Sequence, residues 1–501
     1  MKKKIKTNTD ITRREFLRKA SIILAGSGIS PQLNAHVLQN LGRMFVSVAE
    51  AQTAPVVDFF VDIPVRAAFH FASMLPPPAY FARNPNPEAG SIWPLDQLSQ
   101  HATGGPNQLF LTPGSRSNAA IGGIGLENFA NRIAIVNCGR DFENFHTAIW
   151  ASRMGGSFHD FEGDTPPPDA GASHAPLFAA EVARRRTGGN APPIPCAIMS
   201  RGACRESYGP YPTSVALDNI SVLSGFFRPR VPRMGRTELQ TVMDSLTRIN
   251  ALQEAGELKA RLLDVGNARL ATQQGIQLAL SDQINVITAD YNNLRVKFKT
   301  GQTLGGGLGA PMDFGESLLL SFIGFKNNLL GATSIHLDVD HLHLRPEFTS
   351  QAAKDHVSYL SHRLGAFLDE LSRTPHPFRG GATLLDHTLI QLTSEGHRGV
   401  LFSNSDGSIN WDDGEMWGTV LMGGPVRGGH YGNVFYDSDP RTESRGTVGF
   451  NFTSGAPEQN TKPSPSSVYK TVAWMLGVPD AGIQRNMGGN FSAPLMTVLK
   501  R

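Results

Sequence analysis

The sequence predicts an α/β layered domain with a mostly parallel central sheet and an inserted helical hairpin. Three observations carry that expectation. Short, nearly unbroken apolar runs recur along the chain, as expected for strands covered on both faces. Longer stretches with helical spacing separate those runs. The chain also has 501 residues, with 52 Gly and 33 Pro, enough for one large core joined by many loops.

Taken in order, the strand-like runs are Arg66 to Met74, Gln108 to Thr112, Arg132 to Cys138, Ile194 to Ser200, Ala332 to Asp340, Thr388 to Glu395 and Gly418 to Gly423. The helical stretches are Ala175 to Arg186, Phe314 to Leu330, Thr349 to Arg373 and Ser467 to Leu476. Ser464 followed by Pro465 supplies a cap for the last of these, because a serine hydroxyl accepts from a free helical N–H and proline suits the first turn. From about Thr237 to Val296 the chain is charged, nearly free of Gly and Pro, and apolar at helical spacing (Leu246, Ile249, Leu252, Leu258, Leu262, Leu263). That block predicts an antiparallel hairpin inserted in the domain, serving as a packing brace or as a lid or partner surface. Pro76 to Pro78, Pro166 to Pro168 and Pro192-Pro193 mark long loops, and no internal repeat is present.

The amino terminus has a different character. Thr12-Arg13-Arg14-Glu15-Phe16-Leu17-Arg18 follows a lysine-rich start and precedes the weakly apolar Ala20 to Gly26. This order fits a twin-arginine export signal, with an apolar segment too short to span a bilayer; a basic amphipathic surface helix would explain the charges but not the R-R-x-F-L order. Ala49-Glu50-Ala51 fits a small-x-small cleavage rule, so residues 1–51 are expected to be the signal peptide and 52–501 a single mature domain. The expected location is periplasmic or secreted. Nine of the 46 Lys/Arg and three of the 43 Asp/Glu fall in residues 1–51, which leaves 37 cations against 40 anions. Such a body, with no basic run except Arg184 to Arg186 at a helix end, has no footprint for nucleic acid. No apolar stretch beyond the signal reaches membrane-spanning length. Of the cysteines, Cys138, Cys196 and Cys204, the last two are close enough in sequence to pair, and none has metal or redox spacing.

Chemistry concentrates in three places. Ser334 to His343 reads S-I-H-L-D-V-D-H-L-H, so strand alternation puts His336, Asp338 and Asp340 on one face. Ligands of parallel sheets gather at the carboxyl ends of strands, where Asp338, Asp340, His341 and His343 offer oxygen and imidazole nitrogen to a divalent ion such as zinc. The run Leu389 to Thr393 stops abruptly in Ser394-Glu395-Gly396-His397-Arg398, adding Glu395 and His397 to that metal set. Consecutive strands in a doubly wound sheet would make these two termini neighbours. His146, after the run Arg132 to Cys138, is the catalytic candidate. Solvated turns or structural hydrogen bonds account for each of these residues equally simply. Gly305 to Gly309 lacks the Lys-Ser/Thr of a phosphate loop, and no G-x-S-x-G elbow is present.

Several of these runs form an ordered series: Arg132 to Val136 with Asn144 to His146, Ser173 to Leu177, Leu337 to His341, Leu385 to Leu389, Ser394 to Arg398, Val420 to Gly429 and Val468 to Val478. In that order, over most of residues 60–480, they resemble an exported bacterial family, domain of unknown function 1501, related to alkaline phosphatases and sulfatases. The resemblance implies an alkaline-phosphatase-like layered domain and a metal-dependent hydrolase acting on small-molecule or polymeric phosphate or sulfate esters. Two departures bear on activity. Ala72 to Pro77 offers no carboxylate where the family has Ser-His-x-Asp, and Met416 stands in Glu415-Met416-Trp417 where the family has a histidine. The metal set is therefore incomplete or altered, and no nucleophilic Ser or Thr stands out. A catalytically silent binding or assembly protein of the cell envelope is the alternative.

Overall fold

The computed structural model describes residues 56–66, 74–76, 93, 95–138, 153, 171–183, 186, 191–199, 207–209, 211, 214–217, 220, 223, 283–303, 313–338, 350–394, 402–403, 409–410, 417–434 and 447–501. The chain divides into two units, Met1–Ala54 and Pro55–Arg501, and the first lies outside the described residues.

The second unit is organised by a nine-stranded sheet. Its strands are β1 (Phe59–Arg66), β2 (Ile133–Cys138), β3 (Ile194–Ile198), β4 (Val215–Ala216), β5 (Leu330–Ser334), β6 (Leu337–Asp338), β7 (Thr388–Ser394), β8 (Trp417–Gly423) and β9 (Gly429–Tyr431). They lie in the order β9-β2-β8-β7-β1-β5-β3-β4, and β6 pairs β1 beyond the end of β5. Among the described residues, every pairing in this sheet is parallel except those of β8, which runs against both β2 and β7. The expectation of a mostly parallel central sheet holds.

Alternation along β1 sets the two faces. Phe59, Val61, Ile63 and Val65 point into one apolar core and Phe60 into the other. The first core is closed by α2 (Gln283–Lys299), α3 (Phe314–Lys326) and α4 (Ser350–Arg373), through Phe298, Phe322 and Phe367 among others. The second is closed by α1 (His174–Glu181), α5 (Pro465–Met475) and α6 (Asp480–Met487), through Phe178, Tyr469 and Ile483. Three layers, helix–sheet–helix, therefore bury both faces of the central strands, which is why those strands read as continuous apolar runs.

Pro64 sits in the middle of the central strand, a position that normally requires a ladder N–H. Asp62 O accepts from Ile335 N at 2.8 Å, so this side of β1 faces β5, and two residues on Pro64 N faces the same way. The ladder is interrupted there: Ile335 and His336 belong to no strand, and pairing resumes at Val65 with Leu337. The missing donor and the break coincide.

Local signals explain the helix ends. The Asp313 carboxylate accepts from Gly315 N at 2.8 Å and caps α3. α3 stops at Lys326, four residues before the expected Leu330, because Asn328 adopts φ 52° and turns the chain into β5. Ser464 accepts from Ser467 N at 3.2 Å, with Pro465 at the start of α5, as the sequence indicated.

The run Arg66 to Met74 meets the described structure only at its two ends. The strand lies upstream at Phe59–Arg66, Met74 is in a turn, and residues 67–73 lie outside the described residues. Leu109–Leu111 is a strand, but it pairs antiparallel with Ser99–His101, apart from the main sheet. Of the block 237–296, only the segment from Gln283 is described; it forms most of α2, which continues to Lys299. Ile287, Tyr291 and Phe298 are buried against the first core, and Lys297 Nζ donates to Asp369 Oδ2 at 2.6 Å and Glu370 Oε1 at 2.5 Å on α4. This helix packs against the first core, and residues 237–282 lie outside the described residues. Among the described residues, no helix is long and apolar enough to cross a membrane.

Candidate functional site at the carboxyl edge of the sheet

The parallel strands end along one edge, and register fixes which termini meet there. Ser394, the last residue of β7, lies opposite Val65, and Asp338, the last residue of β6, lies opposite Arg66. Cys138, the last residue of β2, lies opposite Trp417, the first of β8. Because β8 runs the other way, its start joins these three ends. The termini of the β5–β6 stretch and of β7 are not adjacent, as consecutive strands would have been. They flank β1, so about 10 Å separates them at the usual interstrand spacing of about 4.8 Å. A similar separation holds between β2 and β7, across β8.

Of the candidate residues, Asp338 is described in its backbone only. His146, Asp340, His341, His343, Glu395 and His397 lie outside the described residues. Their segments leave the sheet at the ends of β2, β6 and β7, which share this edge. Among the described residues, no group of three or more His, Cys, Asp or Glu is placed to hold a metal ion. Cys196 is buried in β3, and Cys204 lies outside the described residues.

Beneath the edge lies a polar layer that sequence reasoning did not identify. Asp62 is registered with Ser334 on one side and Gln391 on the other, and all three are completely buried. By alternation they share the face of Phe60, as do Thr393 and Thr419 one step closer to the edge. Arg153, also completely buried, donates to Asp62 Oδ2 through Nε at 2.9 Å and Nη2 at 2.6 Å. A carboxylate and a guanidinium withdrawn this far from water are tolerable only as a pair. Thr419 donates to Leu392 O at 3.2 Å. Among the described residues, neither polar atom of the Gln391 side chain has a hydrogen-bond partner, nor has the Thr393 hydroxyl. Buried amides and hydroxyls are rarely left in that state.

The amino end of α1 borders the same face. Ser173 is fully buried, and its Oγ accepts from Ser207 N at 2.9 Å instead of capping the helix. His174 stacks on Tyr469 with ring centroids 4.5 Å apart, and its Nε2 lies 3.1 Å from Tyr469 O. Chemically, the edge offers a paired buried carboxylate, an amide and hydroxyls as a floor. The signal that could have revealed the floor is Asp62 within Phe59-Phe60-Val61-Asp62-Ile63, a charge where burial is otherwise complete.

No family model matches the chain, and no curated protein matches it. The resemblance to the exported family therefore rests on the order of the motifs alone. Among solved structures, the crystal structure of the PsFucS1 sulfatase from Pseudoalteromonas sp. is similar at 10% identity with a TM-score of 0.29, covering 90% of this chain and 73% of that chain. A similarity of that size transfers no residue roles.

Proposed function

We propose that this protein is an exported metal-dependent hydrolase of phosphate or sulfate esters, with an alkaline-phosphatase-like fold and its reaction centre at the carboxyl edge of the sheet. The observation that supports it most is topological. The strands that lead to His146, to Asp338 through His343 and to Glu395 through His397 all end at one edge, above a buried polar floor. Fully extended, the stretch from Cys138 to His146 reaches at most ~28 Å, ample to meet the termini of β6 and β7.

By donor chemistry, carboxylate oxygens and imidazole nitrogens suit zinc or a similar ion. Asp338, Asp340, His341, His343, Glu395 and His397 would hold it. Such an ion, when bound, polarises the ester oxygen and lowers the pKa of a bound water. The chain's own part is to orient the ester and move its proton. His146 is the proton-transfer residue, and the Gln391 amide is the group within the floor that orients an ester oxygen. The Asp62–Arg153 pair holds that floor rigid.

The experiment is metal analysis of the purified protein together with a panel of phosphate and sulfate esters at several pH values. His397→Ala and Asp338→Asn are expected to lower kcat/KM about a hundredfold and to reduce metal content. Protein that carries no metal and turns over no ester would end this reading. The second reading, a silent binding protein, is favoured by one observation: Ser173, the serine before α1, is buried and already bonded to Ser207, so it is not poised as a nucleophile.

A further inference from the structure

The opposite, amino edge of the sheet carries a second polar cluster. Asp58 immediately precedes β1, and its side chain is almost wholly buried. Asp58 N donates to His387 O at 2.8 Å, which places the residue before β7 beside it. Arg379 donates to Asp58 Oδ2 through Nε and to Oδ1 through Nη2, the latter at 3.0 Å. His376 Nε2 lies 3.2 Å from Oδ2. His387 Nδ1 lies 3.6 Å from Oδ2, but the shorter contact of that nitrogen is with Val56 O at 2.6 Å. A carboxylate has about four lone-pair sites, and these partners occupy most of them.

Arg186 is the residue left over. Its side chain is 8% exposed and sits over the Phe59 and Phe378 rings, its guanidinium carbon 5.2 and 5.5 Å from their centroids. Its Nε approaches Asp58 Oδ1 no closer than 3.9 Å. Among the described residues, none of its three nitrogens has a hydrogen-bond partner. A guanidinium carries five N–H donors in a fork that matches an oxyanion. Charge points the same way. Among the described residues, two guanidinium groups, Arg186 and Arg379, face the single Asp58 carboxylate, and burial lowers the His376 pKa even with Asp58 beside it. Burial lowers the Arg186 pKa to about 10, against the pull of Asp58, and the Arg379 charge is felt there as repulsion.

We propose that this edge binds a small inorganic oxyanion, phosphate or sulfate, through the free donors of Arg186 and the remaining donors of Arg379, beside Asp58. The added charge neutralises the surplus cation and satisfies the buried fork. The members of the cluster that face solvent are Arg379, whose side chain is 35% exposed, and His387, at 15%. The site is independent of the ester-hydrolase reading, since it lies at the other end of the strands.

Isothermal titration calorimetry of the full chain tests it, with sodium phosphate, sodium sulfate and sodium chloride at matched ionic strength. The expected result is a saturable phosphate or sulfate site that persists in His397→Ala, whose reaction centre is altered. Arg186→Met should weaken it about tenfold or more, and Arg379→Met should weaken it as well. Asp58→Asn should tighten it, because a competing carboxylate is removed. His397→Ala should leave it unchanged. Arg379→Met alters a partly exposed side chain and serves if Arg186→Met does not fold. The proposal is overturned by the absence of saturable heat with either oxyanion, or by chloride binding as tightly as both. Oxyanion binding that survives both arginine variants but disappears in His397→Ala would overturn it too.

Discussion

Asp62 is the residue on which the central strand depends. It is buried between Ser334 and Gln391 and paired with Arg153, which contributes two donors to one of its oxygens. Removing one partner strands the other's charge in the interior, so Asp62→Ala is expected to cost about 3–5 kcal/mol. Urea unfolding measures it, and replacing both residues with apolar ones should cost less than Asp62→Ala alone. The same pair explains what was not legible. The expected first strand began at Arg66, where the observed one ends; Asp58, Asp62 and Pro64 break up the apolar run of Phe59–Arg66. Arg153, remote in the chain, and the ladder break opposite Pro64 make those residues acceptable, and neither is visible to a local window. Gln391 escaped notice similarly: its place in the floor comes from register with Asp62, not from anything in Ile390-Gln391-Leu392.

At the level of elements, the apolar runs were readable wherever a strand is covered on both sides. β2, β3, β7 and β8 fall within one or two residues of the runs that predicted them. Helix starts were readable where a short polar side chain precedes an apolar stretch, as Ser464 does. The Asp313 cap on α3 went unread, though it accepts from Gly315 N and Glu316 N through Oδ1 and from the Tyr359 hydroxyl through Oδ2. Asp313→Ala is therefore expected to destabilise the protein by about 1–2 kcal/mol, measured as a lower denaturation midpoint with an unchanged slope. An unchanged midpoint would mean that packing alone fixes the start of α3. The candidate site was legible only as a set of strand endings. Which endings adjoin depends on a strand order in which β1, first in sequence, lies between β5 and β7.

For the whole molecule, buried titratable groups set the response to acid. His430, enclosed beside Asn137 with 2.7 Å between Nε2 and the amide, is held by burial at a pKa of about 3, below its ordinary 6.5. The unfolded chain binds that proton more readily, so this contribution to stability is complete above about pH 6.5 and is lost as the pH falls toward 3. A second loss follows at lower pH. Burial alone would raise the Asp58 carboxyl, but the His376 ring close to Oδ2, the hydrogen bonds from Arg379 and the Arg186 charge outweigh it and bring it to about 2. That contribution is present above the ordinary 3.8 and disappears as the pH approaches 2. Melting temperature measured from pH 7 to pH 3 should fall throughout, and His430→Gln should flatten the segment between pH 6.5 and 4. An identical slope in that variant would assign the acid sensitivity to other groups.

The position of β1 also has a consequence in time. This strand leaves the ribosome first among the sheet's members, yet Phe60 finds Ala332 only after roughly 270 further residues have been made, about 13–55 s at ordinary elongation rates. Leu389, its partner on the other flank, arrives later still. Throughout that interval Phe59, Phe60, Val61 and Ile63 have no sheet to join, so the nascent chain must be shielded by holdase chaperones or carry a sticky segment through most of its own synthesis.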